Sequence, residues 1–73
     1  MDIKIIANFS KNTYYLLEPI LYKKFHAYVE QIYNFEFNIY TMTIIICDFD
    51  LKETIKILQN NKNLIGYVIR KER

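Results

Sequence analysis

One glycine, one proline, one cysteine, one histidine and no tryptophan occur among the 73 residues, and each scarcity closes a class of function. With Gly66 the only glycine, no glycine-rich loop can cradle a phosphate. Cys47 has no second cysteine to pair with, and Cys47 with His26 cannot complete a four-ligand zinc site. Such a chain suits a reducing compartment. No run approaches the ~18 apolar residues of a membrane-spanning helix. The N-terminal MDIKIIANFS carries an acid at position 2 and does not read as a secretory leader. The expectation is a cytoplasmic protein, without cofactor, metal or membrane partner.

What is present is apolar and aromatic. Hydrophobic residues make up 52% of the chain and aromatics 16%, which excludes a disordered segment. Residues 1–73 read as one domain. A domain this short buries only about 60% of the surface that its unfolded chain exposes. So much apolar surface on so small a body points to a partner covering some of it. Ile, Asn, Lys, Tyr and Phe account for 40 residues. All are encoded by AT-rich codons, which suggests a low-GC genome, or a phage, virus or mobile element living on such a host. In the latter case the cytoplasm would be that of the host cell.

The run Thr43 to Asp50, TIIICDFD, is the most β-branched stretch and reads as a central strand covered on both faces. Before it, Ile3, Ile5, Ala7 and Phe9 alternate with Lys4 and Asn8 as a first strand. Tyr14, Leu17, Leu21, Phe25, Tyr28 and Ile32 recur at helical spacing, which predicts a helix from Ser10, its N-cap, towards Asn34 with a kink at Pro19. The alternative pairs Thr13–Leu17 as a strand with the first and starts the helix at Pro19. Residues 20–33 are helical in both. Phe35, Phe37 and Ile39 alternate with Glu36, Asn38 and Tyr40 as a further strand, with a turn near Tyr40–Met42. Asp50 and Glu53 have the spacing of a capping box ahead of a helix that buries Leu51, Ile55 and Leu58. Leu64–Ile69 forms the last strand, with Ile65, Tyr67 and Ile69 on one side and the tail from Arg70 in solvent.

The order predicts an α+β fold: a small four-stranded, mostly antiparallel sheet with two helices on one face, βαββαβ, the ferredoxin-like order. The alternative order is ββαβαβ.

Asp48-Phe49-Asp50 after the isoleucines resembles the aspartate pair of haloacid-dehalogenase-type phosphatases, which implies a nucleophile and an acid/base beside magnesium. Here Leu51 and Lys52 replace the small residues that follow in that family, and the chain is too short to supply the other catalytic groups. The plainer reading gives Asp50 to the helix cap and Asp48 to a wet strand end. His26 lacks a marked nucleophile and orienting acid and is expected exposed, paired with Glu30. Cys47 is expected buried and inert. The sequence therefore predicts no catalytic residue and no enzyme.

Charge is uneven. Residues 1–50 hold four lysines and six acids, and residues 51–73 hold six basic residues and two acids. Seven tyrosines exceed what a small core needs, and an exposed tyrosine suits an interface. The expected function is a small protein-binding module, an inhibitor or regulator that meets a larger protein or forms a homodimer through Tyr15, Tyr22, Tyr33 and Tyr40. The alternative is an RNA- or DNA-binding module using Lys52, Lys56, Arg70, Lys71 and Arg73 with aromatics such as Phe37, Tyr40 and Tyr67 on the open sheet.

Overall fold

Strict alternation sets the first element. Ile3, Ile5, Ala7 and Phe9 are all buried, and the residues between them are only half-buried. They lie on strand β1 (Asp2–Phe9) of a computed structural model that describes residues 1–71. Then follow α1 (Tyr14–Phe25), β2 (Tyr28–Asn34), β3 (Ile39–Cys47), a 3-10 turn (Asp48–Asp50), α2 (Leu51–Gln59) and β4 (Leu64–Lys71). The sheet order is β2-β3-β1-β4 and every pairing is antiparallel. This is the βαββαβ, ferredoxin-like arrangement, an α+β domain with both helices against one sheet face.

The isoleucine run lies in an interior strand, as expected, but β1 is the better enclosed. Ile44 and Ile46 are buried against the helices, whereas Ile45 points to the opposite face and is half-buried. The expectation of cover on both faces is therefore corrected: two short helices cover one face only. The other face carries Ile6, Ile45 and Val68 among Asn8, Thr41, Thr43, Lys4 and Arg70, as the registers Ile6↔Thr43, Ile6↔Val68 and Lys4↔Arg70 require. Facing side chains lie on one side of the sheet. Beneath the helices, Leu17 and Leu21 from α1 and Leu58 from α2 meet Ile3, Ile5, Phe9, Met42 and Ile44. Each fully buried aliphatic contributes about 1.5–3 kcal/mol.

Pro19 lies inside α1, so the helix does run through it and the alternative strand at Thr13–Leu17 is not formed. The carbonyl that Pro19 leaves without a partner belongs to Tyr15, an exposed residue. The N-cap is Thr13 rather than Ser10, and its backbone oxygen accepts from the amides of Leu16 and Leu17. The expectation of helix through residue 33 is overturned. His26 adopts a left-handed conformation (φ 54°), the helix ends at Phe25, and β2 begins at Tyr28. Tyr28 and Ile32 are four apart, a spacing that keeps two residues on one side of a strand as well as of a helix. Val29 and Ile32 favour the strand.

Of the strand expected over residues 35–40, residues 35–38 form a turn and Ile39 and Tyr40 open β3. Asn34 ends β2, its side-chain oxygen accepts from the amides of Glu36 (3.0 Å) and Phe37 (3.3 Å), and Asn38 takes φ 55°. The chain thus reverses over Phe35–Asn38, not near Tyr40–Met42, and β3 runs without a break for nine residues. No capping box forms at α2. Asp50 makes no side-chain cap, and Thr54 Oγ1 instead donates to the Asp50 carbonyl at 2.9 Å. The residues Asp48–Asp50 form the 3-10 turn that leads into α2. The last strand extends to Lys71, past the expected end at Ile69. A register shift opposite Asn8 and Phe9 removes Ile65 from the row of Tyr67 and Ile69 and leaves it exposed.

Candidate protein-binding surfaces

The sheet has two margins, and each is shaped by the helix beside it. At one margin, β2 pairs only with β3. Its side chains are tied to their own surroundings. Tyr28 donates its hydroxyl to Glu30 Oε1 at 2.6 Å, and Gln31 Nε2 donates to Asn12 Oδ1 at 3.0 Å. Tyr33 donates to Asn38 Oδ1 at 2.9 Å, and the Tyr14 hydroxyl donates to the Val29 carbonyl at 3.4 Å. The Tyr28 phenol ionises above the ordinary tyrosine value, first because of its bond to Glu30 and then because of that carboxylate's charge.

The four tyrosines expected at an interface divide into two pairs. Tyr15 and Tyr22 are exposed and lie seven residues apart on α1, two turns along nearly one line. Tyr33 and Tyr40 are directly opposed across β2 and β3, with ring centroids 4.5 Å apart. They lie on the helix-covered side. Tyr40 packs against the core while Tyr33 is 46% exposed. Only Tyr15, Tyr22 and Tyr33 are therefore open to a partner. Phe35 and Phe37, in the turn after β2, are more exposed than any of them. Sequence reasoning placed both in a strand, so it left Phe35 out and offered Phe37 only for base stacking, although Asn34 and Asn38 mark the turn.

At the other margin, β4 pairs only with β1. A groove of about 480 Å³ runs between β4 and α2, lined by Phe49, Leu51, Ile55 and Ile69, with Lys52 and Lys56 at the helix side and Asp48 at one end. Phe49 is 92% exposed. Gln59 also lines the groove, and its Nε2 donates to the Tyr67 hydroxyl at 3.3 Å. Lys52 and Lys56 sit one turn apart, and among the described residues neither has an ion pair. The ion pair at the α1–α2 side is Lys24 Nζ with Glu53 Oε2 at 3.3 Å, both exposed and so of little stabilising value.

The basic residues of the nucleic-acid alternative do not form one stripe. Lys52 and Lys56 lie on α2, Lys71 falls on the helix-covered side of β4, and Arg70 falls on the open side. Arg73 lies outside the described residues. Tyr40 and Tyr67 pack against the core cluster, and Phe37 is in the turn, so none of the three aromatics proposed for base stacking is on the open face. Tyr28 is there instead, beside Glu30.

Cys47 is exposed, not buried: it stands at the end of β3, on the open side, with Sγ 3.6 Å from Asp48 Oδ1. His26 does not pair with Glu30. It forms the left-handed cap of α1 and meets Tyr22 edge-on at 5.7 Å. Asp48 and Asp50 lie in one 3-10 turn. Among the described residues, no group of three or more His, Cys, Asp or Glu side chains is placed to hold a metal ion, and no helix is long and apolar enough to cross a membrane. Compared with known proteins, the chain matches no family model, no curated protein and no solved structure.

Proposed function

We propose that the chain is a small, non-enzymatic protein-binding module, an inhibitor or regulator from a phage, virus or mobile element of a low-GC host, acting on a larger protein or on a second copy of itself. Its main support is the surface. Phe35, Phe37, Phe49, Tyr15 and Ile32 are each more than 60% exposed in a domain whose core holds a single phenylalanine, Phe9. Scattered apolar residues are ordinary on any surface, but large aromatics at this exposure cost solubility unless a partner covers them.

The test is size-exclusion chromatography with light scattering, on the chain alone over a range of concentrations and after incubation with extract of its host. A dimer or a stoichiometric complex, weakened by Tyr15→Ala with Tyr22→Ala, is the expected result. A chain that stays monomeric and retains nothing contradicts it. The nucleic-acid reading draws support only from Lys4 and Arg70, cross-strand neighbours on the open face that Tyr28 shares at the opposite margin. It requires binding to an oligonucleotide that falls steeply with salt.

A further inference from the structure

We propose that the groove between α2 and β4 receives an extended, acidic segment of the partner, which adds to β4 as a fifth strand. This rests on the protein-binding reading and names the surface and the chemistry of the segment. Among the described residues β4 has a neighbour on one side only, so the outward row of its backbone N–H and C=O groups is a template for another strand. A strand added there sends every second side chain to the helix-covered side. On that side lies the groove, with Leu51, Ile55 and Ile69 to receive apolar side chains and Phe49 standing free beside them.

Charge selects the occupant. Lys52 and Lys56 stand on the rim without ion pairs among the described residues, Lys71 lies on the same side of β4, and Asp48 is the one acid in the lining. Carboxylates on the incoming segment would meet these ammonium groups.

The experiment titrates the full chain into a labelled, acetylated peptide about eight residues long to match a strand, with valine and glutamate taking turns at every second position so that both meet the helix-covered side, and threonine between them, and follows fluorescence anisotropy. The expected result is saturable binding, weakened about tenfold by Lys52→Ala with Lys56→Ala and several-fold by Phe49→Ala, all three side chains being exposed. N-methylation of the peptide nitrogens on one edge should abolish binding, and on the other edge leave it intact, because only one edge faces β4.

Four results overturn the proposal. They are absent binding at about 1 mM peptide, equal binding of the lysine-for-glutamate peptide, indifference to N-methylation at either edge, and displacement of the peptide by oligothymidylate that itself binds more tightly. A chain that dimerises through β4 and excludes the peptide also overturns it. If the groove fails while complex formation survives and depends on Tyr15 and Tyr22, the protein-binding reading stands without this surface.

Discussion

The two margins of the sheet are built from the same backbone pattern and differ in what their side chains do. Beside β2, the polar tips of Tyr14, Tyr28, Gln31 and Tyr33 bond to neighbours within the fold, and Tyr33 rests on Tyr40. Beside β4, the lysines of α2 stand without ion pairs among the described residues, and an apolar groove separates helix from strand. An edge strand is a hazard wherever it occurs. Here the side chains beside one edge bond among themselves, and the other edge borders a groove whose lysines suit a segment of opposite sign. Exposure alone would not separate the margins, since Tyr28 and Ile69 are both exposed. The separation comes from hydrogen bonding and charge.

The largest expected effect falls on the helices that flank the margins. Leu21 in α1 and Leu58 in α2 are fully buried. Leu21→Ala and Leu58→Ala should each cost about 3 kcal/mol in urea denaturation, a large share of a small domain's stability. If Leu58→Ala costs far less than Leu21→Ala, α2 is loosely held and the groove is not a fixed surface.

A finer contrast uses one buried threonine from each side. Thr54 Oγ1 donates to the Asp50 carbonyl, whereas Thr13 Oγ1 has no partner among the described residues although Thr13 is buried. Thr54→Val should lose about 1 kcal/mol, and Thr13→Val should be neutral or gain about 1 kcal/mol by removing an unsatisfied hydroxyl. Equal losses at both sites would show that the Thr13 hydroxyl is bonded after all.

The left-handed residue after β2 gives a similar contrast. Asn38→Ala should cost about 1 kcal/mol through strain at φ 55°, and the loss of the Tyr33 bond adds to it. Asn38→Gly should keep the backbone and lose only the hydrogen bond. Thermal melts of the two variants separate strain from bonding.

How much of this was legible in the sequence varies along the chain. The buried alternation of β1, the isoleucine run of β3 and the amphipathic α2 were placed correctly, and the element order came out right although the strand counted second was expected over residues 35–40 instead of Tyr28–Asn34. The segment from Tyr14 to Ile32 obeys two periods. Spacings of four suit helix and strand equally, so the boundary at His26 had no apolar signature. It is set by one left-handed residue, and His26 gave no warning that a glycine would have given. The turn after β2 was signalled by Asn34 and Asn38, but aromatic alternation between them imitated a strand. Of the candidate residues, Tyr15 and Tyr22 could be placed outward from helical phase alone. Tyr40 could not, because its side of β3 depends on where the turn lies. The groove joins residues from three elements, Phe49, Ile55 and Ile69, and no reading of local pattern could bring them together.

The smallest effect concerns Tyr28. Its folded-state pKa is raised above the ordinary value near 10. The Tyr28–Glu30 bond therefore favours the fold while the phenol is protonated, below the ordinary tyrosine pKa, and that contribution disappears as pH climbs through the raised value. Glu30→Gln should return the ultraviolet titration of Tyr28 towards the ordinary value. An unchanged titration would mean that the bond does not persist in solution.

Backbone amide exchange, compared at β2 and β4 in the presence and absence of the acidic peptide, tests the asymmetry of the two margins most directly. Slowed exchange within residues 64–71, with residues 28–34 unchanged, is the predicted outcome. Slowing at β2, or at neither strand when the peptide is saturating, would contradict it.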